Sequence, residues 1–572
     1  MKRIIGFILA ALMLLTTFAG CKEEQVTEAN PTASPAPVAT TAATPTAEVE
    51  TDAEQEFLTL DREVFAWLTT SSYRYYGYID AGEGEISKPT TLGSYSNANA
   101  LDNLTACRGF LTRLEGMDKL QLSLELQYAY DVMQRYLSNE CDSLQHFEMY
   151  EPFFPFFGEH QGLCQFFITY PLTDGEDVEA YLALLADLPR YANQLISHEE
   201  ERCNSGTFMT EYALNQVLDE LYMLLDGSFV SAAFISKLND LHSLDEDTRE
   251  SFISRHDELI ENSYCTAYNA MYESLLQMQP YCREPLGLSA AFGREGVSYY
   301  ESLMKNNAAS NIAVDEAREL VELRIDDTML LIAILYELDS EIFSISIDTE
   351  VATTSEALDY MQGLSLPYPV LEGVDCTPHY GAPNGISMQL FGNRLIVFES
   401  QPIDLFDFAR TVYPREQYLF KYQNQGEAGS LFLKVAPING YYGGWAIDAE
   451  AHFATNAEGF YEEYCQAQFA NSLLDLLLLA SSDMLVNYYG YDEENLYGYL
   501  QQYFMEELAH SYYETVVAMP GYHIGYAIGY CELTNMAQAS GMDEADFYKS
   551  YLELGAGYYD LIRDYIFRDN DK

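Results

Sequence analysis

The residues able to carry out hydrolytic or metal chemistry are sparse and scattered. The nine histidines are His146, His160, His198, His242, His256, His379, His452, His510 and His523. A zinc hydrolase needs imidazoles or carboxylates converging on one ion, and a carboxylate to activate water. No two of these histidines stand three to six residues apart, and H-E-x-x-H is absent. His198-Glu199-Glu200 opens like that motif, but no histidine follows at the required place. The nucleophile elbow G-x-S-x-G, the phosphate-binding glycine motifs and the EF-hand spacing are absent too. The ten cysteines include no C-x-x-C pair, so a cysteine zinc site has no support. Local chemistry therefore names no catalytic residue, no metal and no cofactor.

Helices must position whatever chemistry there is. Phe57, Leu60, Val64, Phe65 and Leu68 share one helical face of residues 56–70. Similar stripes predict helices near 119–138, 177–202, 209–226, 229–241, 247–279, 314–337, 354–364, 402–424, 457–488, 492–515, 523–539 and 543–553. Between Ile386 and Ser400 the pattern changes to alternation around Gly392-Asn393, which predicts a β-hairpin. Phe343, Ile345 and Ile347 also alternate and predict a short strand. The expected fold is mainly α, with a small β-hairpin element. Tyrosine is abundant, and Tyr73-Arg74-Tyr75-Tyr76, Tyr488-Tyr489-Gly490-Tyr491 and Tyr512-Tyr513 suit either a wet groove or a core.

The amino terminus reads as a bacterial lipoprotein signal. Lys2 and Arg3 precede an apolar run, Ile4 to Ala19, too short for a permanent span. Small residues then lead to Cys21, the expected site of lipid attachment after cleavage of residues 1–20. Residues 21–55 form a Thr/Pro/Ala-rich tether, with Pro31, Pro35, Pro37 and Pro45, that cannot bury enough surface to fold. Residues 56–572 form one large helical domain or tightly fused subdomains. The expected location is the extracellular face of the cell membrane. The formal net charge is −60, nearly all of it beyond residue 55. That field argues against nucleic acid as a partner and would suit cationic peptides. Without Cys21 nine cysteines remain, and their dispersal predicts mostly free, buried thiols.

Two stretches carry a family resemblance. One runs from Phe153 to Met209, with Gly158, Gly162, Tyr170-Pro171, Leu188-Pro189 and Gly206-Thr207-Phe208-Met209. The other, Gly287 to Glu316, holds Gly296 and Tyr299-Tyr300. In this cadence the helical body resembles the bacterial family named domain of unknown function 885, in its clostridial-type variant. The resemblance implies a zinc-peptidase-like fold whose members usually carry His-Glu-x-x-Pro-Gly-His and a run beginning Glu-Gly-Trp-Ala. Here Tyr413-Pro414-Arg415-Glu416-Gln417-Tyr418-Leu419-Phe420 stands in the first motif's place. Pro414 and Phe420 occupy the ligand histidine positions, and Arg415 that of the catalytic glutamate. Gly443 stands where the ligand glutamate of the second motif would be, ahead of Gly444-Trp445-Ala446, and Glu450 matches a further acidic position. Asn487 stands where the family often has histidine, Phe547-Tyr548 replaces a Phe-His pair, and Tyr526 and Gly529 are retained. Proline and phenylalanine offer zinc no lone pair, and a guanidinium repels it.

The resemblance thus implies a degenerate metal site, with no catalytic residue and no metal. It implies a ligand cleft built around Arg415, Trp445, Glu450 and Tyr526. Three readings follow. One is a non-catalytic, membrane-anchored protein that binds peptide or protein. Another is a hydrolase of altered chemistry drawing on Glu416, Glu450 or His452, although Glu450 and His452 would not share a helical face. The last is a structural surface scaffold.

Overall fold

The computed structural model describes residues 52–76, 88–344, 349–368, 377–380, 388–391, 394–399, 403–411, 429–459 and 462–570. The signal, Cys21 and nearly all of the tether lie outside them, as do Pro414, Arg415, Glu416 and Phe420.

Helices dominate, and their boundaries follow local chemistry. Asp174 caps the long helix Gly175–Ser205 by accepting from the backbone N–H groups of Glu176 and Asp177. Gly206, at φ 78°, closes it in the left-handed conformation that glycine adopts without strain. Thr210 and Asp245 cap Glu211–Leu224 and Glu246–Leu259 in the same way. Most predicted helices are present with shifted ends. The 119–138 stripe is a 3₁₀ turn, Lys119–Gln121, followed by the helix Leu124–Ser143. The 492–515 stripe splits into Glu493–Leu500 and Ala509–Ala518 around two 3₁₀ turns. Asn97–Glu115, Glu159–Thr169 and Asn439–Asn456 are absent from the predicted stripes because their apolar spacing is weak or runs around the whole helix. Arg294–Asn307, also absent, does bury one face through Tyr299, Tyr300 and Met304.

The predicted hairpin is present: Met388–Phe391 pairs antiparallel with Arg394–Glu399, and Thr377–Tyr380 adds a parallel strand to the latter. The strand expected around Phe343 is not formed there; Ile342–Ser344 is a 3₁₀ turn, and 345–348 lie outside the described residues. A separate two-residue ladder joins Glu350–Val351 to Ile403–Asp404.

The buried side chains fall into two main clusters. One is built by the helices between 52 and 149 together with those from 288 to 570. The other gathers Phe153 to Met278 around Tyr181, Leu185 and Tyr268, and meets the first through Ala518 and Met519. The tyrosine runs are largely core: Tyr73, Tyr76, Tyr512 and Tyr513 are buried. Of the third run, only Tyr489 is strongly exposed.

Candidate functional site

The helix Asn439–Asn456 carries Gly443, Trp445, Asp448, Glu450 and His452. It lies against the helix Tyr522–Ser540 through glycines on both partners. A methyl group on Gly443 would meet Cα and Cδ1 of Tyr526 at 3.2 Å. Gly443 and Tyr526 are therefore neighbours.

Glu450, two turns further on, is buried. Burial pushes its carboxyl up to about 7; the Arg410 guanidinium opposes this, while Asp407 and Asp404 add to it. Arg410, on the short helix Leu405–Thr411, also donates to the Asp407 carboxylate. Among the described residues, Arg410 is thus the cation that acts on Glu450. Arg415, expected in the same cleft, lies outside the described residues, and Arg410 is marked in the sequence only by its place in the predicted 402–424 helix.

The other face of the same helix holds a second polar group. Asp448 accepts from Tyr368 at 3.2 Å and Tyr548 at 3.0 Å. The His452 Nε2 lies 3.0 Å from the Tyr548 hydroxyl, 3.6 Å from Asp448 and 3.7 Å from Glu544. Tyr548 has one proton and gives it to Asp448, so His452 donates to the phenol oxygen through Nε2–H. Desolvation beside Asp448 holds the phenol far above its ordinary pKa. Nε2 is therefore spent as a donor. Glu450 and His452 lie on different faces, as their spacing requires. Trp445 is fully buried among Tyr368, Tyr548 and Tyr551, so it packs the core and lines no open cleft. Among the described residues, no group of three or more His, Cys, Asp or Glu could hold a metal ion.

Asn487 is fully engaged in holding the backbone. It donates to Asp483 and to the Val516 carbonyl, each at 2.8 Å, and accepts from the Leu288 N–H at 3.0 Å. Asp483 also accepts from the Gly521 N–H at 2.7 Å. Burial raises Asp483 to about 7, Glu450 to about 7 and Asp61 to about 6. In the unfolded chain these acids ionise near pH 4. The folded state therefore keeps protons that the unfolded state has released, and stability falls as pH rises from about 4 to about 7. Glu140 and Glu199, also raised to about 7 by burial, add to this fall. The buried His198, His256 and His523, lowered to about 4, 3 and 4, oppose it up to about pH 6.5. Carboxylates held low by partners, such as Asp177 and Glu220, oppose it at more acidic pH. The urea midpoint should accordingly be higher at pH 5 than at pH 7.5, and Asp483→Asn should flatten that slope. A midpoint that climbs across this interval would contradict the assignment.

An aromatic ledge lies beside Tyr526. Phe156 and Phe157 are about half exposed, and Phe157 stacks on Tyr522 at 4.8 Å. Tyr522 lies 6.0 Å from Tyr526. Phe156 has φ 69°, an unfavourable value for a side chain with a Cβ. Its N–H is held at 2.9 Å by Glu220, which also receives Gln161 and pairs with the buried His160 at 2.8 Å. A buried polar bracket thus holds an exposed ring in a strained pose. Sequence reading saw only an aromatic-rich stretch here, because left-handed backbone at a phenylalanine has no sequence signal.

Residues 77–328 match the family described as bacterial protein of unknown function (DUF885). The match covers less than half of the chain. It includes both stretches that carried the resemblance and ends before Thr411, so it does not reach the expected metal motifs. Two solved structures share the fold. A protein described as a lipoprotein from Colwellia psychrerythraea aligns at TM-score 0.74 and 13% identity, over 91% of this chain and 99% of that one. A protein described as a lipoprotein of unknown function from Shewanella oneidensis aligns at TM-score 0.56 and 12% identity, over 91% and 100%. No curated protein matches the chain.

Proposed function

We propose that this chain is a lipid-anchored protein of the extracellular face of the cell membrane that binds peptide or protein without cleaving it. The observation that carries the reading is the burial of Glu450, whose carboxyl is acted on by the positive charge of Arg410. On the resemblance to zinc peptidases, Glu450 belongs to the run beside the metal, and a fixed cation there repels a divalent ion. The aromatic ledge supplies two exposed rings, Phe156 and Phe157, the latter backed by the half-buried Tyr522, of the kind that anchor peptides. The charge of −60 favours cationic partners. Attachment through Cys21 is supported by the signal pattern and by the neighbours' description as lipoproteins.

The test pairs elemental analysis with peptide binding on the detergent-extracted protein. Less than about one-tenth of an equivalent of zinc is expected. Basic, aromatic-containing peptides should bind more tightly than acidic ones, and Phe156→Ala/Phe157→Ala should weaken binding at least tenfold. Stoichiometric zinc with chelator-sensitive cleavage would restore the hydrolase reading. Binding of neither library would leave the scaffold reading standing.

A further inference from the structure

We infer that Cys107 and Cys141 are joined by a disulfide in the exported protein, stapling two neighbouring helices of the main core. Cys107 lies within Asn97–Glu115, and Cys141 in the last turn of Leu124–Ser143. Their sulfurs are 3.0 Å apart, and both side chains are buried in the same apolar cluster. Cys107 Sγ also contacts the Leu137 carbonyl at 3.2 Å, so its side chain is fixed toward the partner helix. Bonding requires the sulfurs to approach by only about 1 Å. The link spans a separation of 34 residues and would constrain the unfolded chain substantially.

The chemistry also fixes when the bond forms. The oxidant is an external disulfide, from a protein or a small molecule. One cysteine thiolate attacks it and expels a thiol; the second cysteine then attacks the mixed disulfide and expels the other. The protein loses two hydrogens, and the oxidant becomes two thiols. Burial raises both thiols above their ordinary range, so in the folded protein they stay protonated and slow to react. Exchange therefore belongs to folding after export, before the helices close. The finished bond is a structural staple rather than a switch. The inference needs an oxidising compartment and makes no use of the ligand-binding reading.

The full-length chain should be expressed with its own leader in a bacterial host with an oxidising envelope. It should be purified without reductant, denatured in an alkylating agent and mapped by mass spectrometry. A cross-linked peptide pair holding Cys107 and Cys141, lighter by two hydrogens and released by reductant, is expected. The thermal midpoint of the native chain should fall on reduction, while that of Cys107→Ala/Cys141→Ala should not move. Should the double variant fail to fold, the peptide map of the native chain decides alone. Full alkylation of both cysteines, persisting after refolding with oxidised glutathione, would overturn the inference.

Discussion

Gly529→Ala should destabilise the fold by about 3 kcal/mol, while Gly109→Ala, the same change in another helix, should stabilise it by up to about 1 kcal/mol. The contrast comes from what each methyl group meets. Gly109 sits on an exposed part of Asn97–Glu115, and a Cβ there has nothing within 4 Å. Only the helical preference of alanine over glycine then acts. A Cβ on Gly529 would lie 2.2 Å from the Gly440 carbonyl oxygen and 2.9 Å from the Gly444 nitrogen. Both obstacles are backbone, so no side-chain rotation relieves the clash. The two helices must part along the notch formed by Gly440 and Gly444 on one and Gly529 on the other. Parting them loosens Trp445, Ile447 and Ile528, all buried, and shifts Tyr559, whose hydroxyl holds the Gly440 carbonyl at 3.1 Å. Chemical denaturation of both variants measures the difference. A Gly529→Ala midpoint within error of the parent would mean that these helices can slide apart at no cost.

That notch shows how far the sequence could be read. Apolar periodicity exposes a helix that buries one stripe, so Glu211–Leu224 and Glu544–Leu554 agree with the predicted stripes to within a few residues. It fails for Asn439–Asn456, which is buried nearly all round and holds three glycines. No amphipathic contrast exists there to detect. The hairpin was legible because alternation and a turn signal coincide between Met388 and Glu399. The site was less so. The contact between Gly443 and Tyr526 has no signal in the sequence, because the two stand on helices more than eighty residues apart and only their packing brings them together. Trp445 was placed at a cleft because of its motif, yet burial is a property of what packs against it. The influence of the Arg410 charge on Glu450 is not legible, because it depends on how the Leu405–Thr411 helix lies against Asn439–Asn456, and no local spacing encodes that.

Arg202→Ala should cost about 3–5 kcal/mol, the usual penalty for removing one member of a buried ion pair. Arg202 stands where H-E-x-x-H, read from His198, would have its second histidine. Its guanidinium reaches both Glu199 oxygens, at 2.9 and 3.0 Å, together with Glu151 at 2.8 Å and the Thr207 carbonyl. Arg202 and Glu199 are almost wholly excluded from solvent. Removing the cation leaves a carboxylate that can neither reach water nor find another donor, so it must take up a proton or force the helix open. His198 offers no help. Its Nε2 is bonded to the Tyr150 carbonyl at 3.0 Å, and desolvation lowers its pKa to about 4, so the ring stays neutral. If the loss comes from the stranded charge, Glu199→Leu in the Arg202→Met background should recover most of it, because an apolar pair of similar volume does not need solvating. The double-mutant cycle reads this directly: coupling of at least about 2 kcal/mol is expected from urea midpoints at pH 7.5. The loss should also shrink toward pH 5, where protonation of the freed Glu199 becomes easier. Additive single losses would instead assign the penalty to the Glu151 and Thr207 contacts, and the likeness to a metal motif would then rest on letters with no shared electrostatics.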